Sequence, residues 1–440
     1  MKKIFFSFLG TNNYIPCNYE ITGVGKVDCV KFVQEASIKL SCKDFSDQDK
    51  IIIFLTSEAR RKNWVDNGHE LRSDGCDTGE GLYTRLKELN CPAIIRDIDI
   101  PEGFTEDQIW EIFQIVYDAI ETDCELIIDI THAFRLLPML GMVIINYLRV
   151  LKNTKLRSIH YGALEAMGTV SSVKQKPIED RNAVILDLTP FAVLQQWTNA
   201  ANTFIRYGNA GEIQSLVNDY NSVKDNSLNK DILKEMRNLS KSLNEITKYF
   251  STVRGKYIID GRLFNKTRIR IEKIRNESFI KPLTPLLRLL TKKTEVFKEK
   301  NVLNGFYAIK WCLDHDLIQQ GITILQEMII TLICEKYSRL RPLNYNRKAD
   351  REFVSKSLNI IQKPQSSWEG IKYEDIEIIK QMHNSADFKR FSKIYRSFTQ
   401  YRNNINHGGF VEDFKSNLFK TKLEEGYHQL KEILKLSTVS

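Results

Sequence analysis

Hydrophobic periodicity changes abruptly near residue 190 of this 440-residue chain. Before that point, short apolar runs recur: "KIFFSFLG" (3–10), "KIIIFLTS" (50–57), "AIIRDIDI" (93–100), "ELIIDIT" (125–131), "LRSIHYGA" (156–163) and "AVILDL" (183–188). The central runs are almost unbroken, as expected of strands buried on both faces. Helix-like stretches at 26–40, 81–89, 105–121 and 134–151 lie between them. Strands and helices alternating at this spacing specify an α/β, Rossmann-like domain over residues 1–189, with a mostly parallel sheet. Ligands of such sheets bind beyond the carboxyl ends of the strands, where the strand order reverses. After "LDLTPFAVL" no strand pattern returns, and residues 190–440 read as an all-α domain.

The opening "MKKIFFSFLG" is too short for a signal-peptide core and is followed by "TNNYIPCNYE", so it reads as a first buried strand. No run approaches the roughly 18 apolar residues of a membrane span. The eight cysteines (17, 29, 42, 76, 91, 124, 312 and 334) form no C-x-x-C pair, and several sit in apolar runs such as "TLICEKY". That usage predicts reduced thiols in a cytoplasmic protein, with neither a disulfide framework nor a zinc site. Charge divides unevenly. Residues 1–190 carry 22 Lys+Arg against 28 Asp+Glu, a net −6, whereas residues 191–440 carry 42 against 27, a net +15. The second half suits a polyanion partner, although a lysine-rich solvated helical surface has the same composition.

Two constellations have the residue types of a reactive site. "YRNNINHGG" (401–409) ends a helical pattern whose Phe388, Phe391, Ile394, Tyr395, Phe398 and Ile405 share one face. Asn403 and His407 are four apart, so they lie on one side of a helix, and Arg402 is long enough to reach toward them. Histidine moves protons near neutral pH, and arginine offers a planar fork to phosphate oxygens. Together they suit cleavage of a phosphodiester by its own 2′-hydroxyl without a metal. R-x4-H spacing is weak by itself, and a solvated helix end has the same look. The second constellation is the pair of loops "LGTNNY" (9–14) and "DITHAFR" (129–135). Each follows a strand, so both are expected to open on one crevice with helix N-termini. There Thr131, Arg135 and the asparagines hold phosphates and adenine edges, unless they are ordinary turn residues. G-x-G-x-x-G is absent from the first loop. His69 lies in the Gly/Asp-rich "NGHELRSDGCDTGEG", near the crevice, while His160, His315 and His428 read as structural. No H-x-x-x-H or paired-Asp spacing marks a metal, so neither metal nor cofactor is expected.

The blocks "FSFLGTNNYIPCNY", "FLTSEARRKNW", "DITHAFRLLPML" and "WTNAANTFIRYGNA" resemble a type III CRISPR-associated family that joins a CARF sensor domain to a HEPN ribonuclease domain. The likeness covers about the first 210 residues, with R-x4-H at 402–407 matching the HEPN pattern and 215–380 resembling nothing closely. It implies a homodimer that binds cyclic oligoadenylate in a shared groove through Gly10, Thr11, Asn12, Asn13, Thr131, His132 and Arg135. Ala133 stands where relatives commonly show glycine. It implies that Arg402, Asn403 and His407 cut single-stranded RNA, leaving 2′,3′-cyclic phosphate ends, in antiviral defence. Paired HEPN domains would supply two histidines, one as base and one as acid. A ligand-gated nucleic-acid-binding regulator without cleavage is the alternative. A nicotinamide enzyme is disfavoured by the missing glycine fingerprint.

Overall fold

The structure is a computed structural model that describes residues 1–69, 79–132, 137–222, 230–276, 282–368, 370–410 and 413–436. It divides into two compact units, Met1–Val193 and Leu194–Ser440.

The first unit is built on one sheet of β1 (Lys2–Leu9), β2 (Cys17–Ile21), β3 (Gly25–Val30), β4 (Lys50–Leu55), β5 (Ile94–Asp99), β6 (Cys124–Asp129), β7 (Lys155–Ala163) and β8 (Asn182–Asp187). Their order is β3-β2-β8-β7-β6-β1-β4-β5. Every neighbouring pair is parallel except β2/β3 and β7/β8. The expected mostly parallel sheet is therefore present, and the two antiparallel pairs make it mixed. Its side chains alternate with the pleat. Ile4, Phe6 and Phe8 pack under Glu106–Ala119 and Leu137–Lys152, while Phe5 and Leu9 pack under Val33–Ser41 and Leu82–Glu88. These four helices, α3, α4, α1 and α2 respectively, make a three-layer α/β/α unit.

Residues 26–40 are not one helix. Their first five complete the β2–β3 hairpin, and α1 begins only at Val33. Lys26 and Asp28 face solvent between half-buried Val27 and Cys29. That period of two belongs to a sheet edge, where charge blunts pairing with other chains. One expectation about thiols also needs correction. Cys17, Cys42, Cys91, Cys124, Cys312 and Cys334 are free, but Cys29 is disulfide-bonded.

His160 on β7 is buried, with Nδ1 2.5 Å from Ser37 Oγ, and burial pushes its imidazole down to about 4. Between pH 6.5 and 4 the unfolded chain takes up a proton that folded His160 refuses. The stability held by neutral His160 is therefore complete above pH 6.5 and is lost as pH falls to about 4. At ~1.4 kcal/mol per pH unit, the full loss is about 3 kcal/mol. Urea unfolding at pH 7, 6, 5 and 4 should show this acid loss shrinking by about that amount in His160→Gln.

The second unit is helical: α5 (Thr189–Tyr207, which begins in the first unit), α6 (Gly211–Ser222), α7 (Lys230–Ser251), α8 (Gly255–Asp260), α9 (Arg262–Asn276), α10 (Leu283–Thr294), α11 (Asn304–Asp314), α12 (Ile318–Lys336), α13 (Lys348–Ile360), α14 (Tyr373–Asn384), α15 (Ala386–Asn406) and α16 (Ser416–Ile433). α12 is apolar and buried around most of its circumference, as a central helix must be. α15 packs on it through Gln326, whose Nε2 donates to Tyr395 O at 3.0 Å. α16 closes against both at Gly426, where a Cβ would stand 2.6 Å from Phe398 Cζ and 2.8 Å from Leu325 Cδ1. Elsewhere the core is aromatic, with Phe250 stacked on Trp311 at 4.6 Å and Phe264 on Phe297 at 4.2 Å.

Candidate functional site

In the first unit, β4 and β5 extend the sheet on one side of β1, and β6 and β7 on the other. The strand order reverses at β1, so the loops leaving β1 and β6 flank the switch point. Asp129, at the end of β6, organises the floor. It is fully buried, accepts from Ser7 Oγ at 2.9 Å, and accepts from Thr131 N at 3.0 Å and Thr131 Oγ1 at 2.5 Å. Burial raises its carboxyl above the usual range. Thr131 Oγ1 also accepts from Gly162 N at 2.8 Å. Its donor is thus committed to Asp129, and one lone pair is left for a ligand.

The first loop is held from below by Asn63, whose Nδ2 donates to Gly10 O at 2.8 Å and Asn12 O at 2.9 Å. His69 Nε2 lies 3.1 Å from Asn63 Oδ1, which places it at this crevice. Tyr14 is buried between Phe32 and the ring of His132, with centroids 5.6 and 4.2 Å away. His132 keeps some solvent exposure, yet protein crowds it enough to push its imidazole down to about 4. It is therefore neutral at pH 7 and offers a ligand stacking and a hydrogen bond, not charge. Asn12 is exposed, and Gly10, Thr11 and Asn13 are half-buried beside it. Gly10, Thr11, Asn12, Asn13, Thr131 and His132 are thus brought together; Arg135 and Ala133 lie outside the described residues. One expectation fails: the loop after β1 leads into the β2–β3 hairpin, not into a helix, so no helix N-terminus follows it.

In the second unit, α15 ends at Asn406, with His407 as its C-cap at φ −95° and ψ 13°. His407 N donates to Asn403 O at 2.9 Å, and Gly408 and Gly409 follow at φ +64° and +79°. Those left-handed torsions are where glycine is needed to stop the helix. His407 and Asn403 are exposed on one side of this end, whereas Asn404 is buried. Arg402 is about 140° around the helix from His407, and it faces α12. Its NH1 lies 3.4 Å from Gln326 Oε1 and 3.9 Å from Glu327 Oε1. Glu327 Oε2 accepts from Arg351 NH2 at 2.5 Å, so one carboxylate anchors two guanidinium groups. The helix end is therefore preorganised on its arginine side and open on its histidine side.

Asn63, Tyr14 and Glu327 were not singled out from sequence. Asn63 sits in the block "RRKNW" (60–64), where its place beside an apolar Trp64 is the only local signal.

Comparison with known proteins fits the first unit to a family. Residues 4–165 match the family described as CRISPR system endoribonuclease Csx1, CARF domain. Over these residues the first unit is similar to a CARF domain. Residues 193–299 match the second domain of CRISPR-associated protein MJ1674. That protein from Methanocaldococcus jannaschii is 24% identical over 317 residues, 70% of this chain and 41% of the relative. The chain therefore spans less than half the length of this relative. The structure of Enterococcus italicus Csm6 bound to cyclic hexa-2′-fluoro-hexa-dAMP superposes on 98% of this chain and 93% of that one, with 11% identity and a TM-score of 0.46. That superposition is too loose to bear on function. Among the described residues, no group of three or more His, Cys, Asp or Glu could hold a metal, and no helix is long and apolar enough to cross a membrane.

Proposed function

We propose that this protein is a homodimeric, metal-independent endoribonuclease that cuts single-stranded RNA when cyclic oligoadenylate occupies the crevice at the end of β1 and β6. The arrangement of α15 supports the cutting half of this reading: a guanidinium fixed on Gln326 and Glu327, an exposed imidazole at the helix end, and a glycine pair that clears space beside it. The match of residues 4–165 to a domain of an endoribonuclease supports the sensing half. In this mechanism Arg402 steadies the charge that builds on the phosphate as the 2′-hydroxyl attacks. His407 transfers a proton, and its counterpart from the second protomer supplies the opposite transfer. Asn403, on the same side as His407, orients the strand.

The direct test is RNA cleavage with and without cyclic tetra- or hexa-adenylate, in excess chelator. Activator-dependent products ending in 2′,3′-cyclic phosphate are expected. Binding of RNA without products would instead favour a ligand-gated regulator, and 3′-hydroxyl ends would indicate metal-assisted hydrolysis.

Glu327 should act on this site through Arg402. Glu327→Gln removes the charge that holds both Arg402 and Arg351 while keeping the side chain's size. Cleavage should fall roughly ten- to a hundred-fold, as expected when a positioned group loosens by about an ångström. The fall should appear in kcat with KM little changed, since Glu327 holds the arginine and is not assigned to the RNA. Steady-state kinetics on a fluorogenic RNA checks this.

A further inference from the structure

A second concave site lies wholly within the second unit, between α10, α11, α16 and the end of α5. It is a cavity of about 450 Å³, inside the ~300–1,000 Å³ range of small-ligand pockets. Its rim carries Lys292, Lys293, Lys310 and Lys431 against the single carboxylate of Asp314. Lys310 pairs with Asp314, and Lys293 Nζ stands 3.9 Å from the same carboxylate. Among the described residues no carboxylate pairs with Lys292 or Lys431. The walls are aromatic. Tyr427 stacks on Phe306 at 4.5 Å and 16°, and Tyr307 and Trp311 complete the lining. Lys293 Nζ lies 5.2 Å over the Trp311 ring.

We infer that this cavity is a nucleotide site, which takes a base against its half-buried Tyr307 and Tyr427 and phosphates on its lysine rim. Each half of the arrangement selects for one half of a nucleotide. Aromatic faces stack any base, because every base has a π face. Lysine ammonium groups are point charges on flexible stems, and they tolerate phosphates in several positions where an arginine fork would demand one geometry. Burial lowers the Lys293 ammonium from its ordinary range, and a phosphate beside it would favour its charged form. An uncharged apolar ligand would leave the excess of lysines unanswered. The occupant is either a free nucleotide or one unit of an RNA strand, since both present the same base and phosphate. This assignment does not rest on the cleavage reading, because it uses none of Arg402, Asn403 or His407.

The experiment is photolabelling of the full chain with 8-azido-ATP, followed by peptide mapping. A ten-nucleotide 2′-O-methyl RNA, which cannot be cut by 2′-hydroxyl attack, serves as competitor. Labelling of peptides within residues 289–311 and 427–436 is expected, decreasing as salt rises. Combining Lys293→Ala with Lys431→Ala should reduce labelling there at least tenfold. Should that double variant fold poorly, Lys292→Glu, at an exposed position, should give a several-fold loss with an unchanged melting temperature. Competition by the oligonucleotide assigns the pocket to a strand, and labelling without competition assigns it to a free nucleotide; both support the inference. Absence of label from these peptides, label confined to residues 1–193, or equal labelling of Lys292→Glu and wild type would overturn it.

Discussion

His407→Ala is expected to slow RNA cleavage by roughly a hundred- to ten-thousand-fold, the usual contribution of a positioned general acid or base. The fold should tolerate the change. His407 is exposed, and its capping role is carried by backbone, with its N–H on Asn403 O at 2.9 Å and Gly408 taking the left-handed turn after it. Melting temperature, dimer formation and activator affinity should therefore stay at wild-type values, leaving chemistry as the only casualty. Arg402→Ala should be about as severe, but it also abandons Gln326 and Glu327, so Arg402→Lys is the cleaner variant. Lysine keeps the charge and loses the planar fork, and its rate should stay far below wild type. Asn403→Ala should cost less, since it removes an orienting group and no proton carrier. Single-turnover cleavage at saturating activator distinguishes these variants. Wild-type cleavage by His407→Ala would place the site elsewhere.

The sheet was legible because burial on both faces leaves a strong mark. "IIIFL" in β4 and "LIID" in β6 can hardly be anything but interior strands, and the structure places both beside β1. The β2–β3 hairpin was not legible. Lys26, Val27, Asp28 and Cys29 alternate only over a short edge strand, and the helix that follows shares enough apolar residues to be read as one continuous element. Its turn holds Gly23 at φ +78° and Gly25 at φ +151°, and "TGVG" could have signalled it. The missed hairpin explains the missed helix N-terminus beside the first loop.

Site residues divide the same way. The end of α15 was readable from spacing: Phe398, Tyr401 and Asn404 continue the buried stripe, which leaves Asn403 and His407 outside it. What spacing could not show is where Arg402 goes. Its partners are 76 and 75 residues away on α12, and no local pattern announces that Glu327 also grips Arg351. Asn63 was hidden for the same reason, because its hydrogen bonds reach back 53 and 51 residues to the carbonyls of the first loop. Thr131 was visible as a loop residue, but its commitment to Asp129 and Gly162 depends on the pairing of β6 with its neighbours.

Gly10→Ala should weaken binding of cyclic oligoadenylate roughly ten- to a hundred-fold, which corresponds to the ~1–3 kcal/mol of overpacking a tight site. Space, not backbone torsion, demands glycine at this position. A Cβ there would stand 2.5 Å from Tyr14 Oη and 3.5 Å from His132 Cβ. Tyr14 cannot simply turn away, since its ring is buried between Phe32 and His132. The loop must shift instead, against the two hydrogen bonds from Asn63 that fix its carbonyls. That shift moves Thr11 and Asn12 relative to His132, and these are the groups assigned to the ring. The net −6 of residues 1–190 does not forbid an anionic ligand here, because distant charge is screened within about 8 Å at physiological salt. His132, neutral at pH 7, contributes no positive charge, so the part of the site built on this loop acts through the placement of its polar groups, and that makes it sensitive to a single methyl. Calorimetric titration with cyclic tetra- and hexa-adenylate measures the effect, with Asn12→Ala at the exposed tip as the milder comparison. An unchanged Kd in Gly10→Ala would remove this loop from the sensing site.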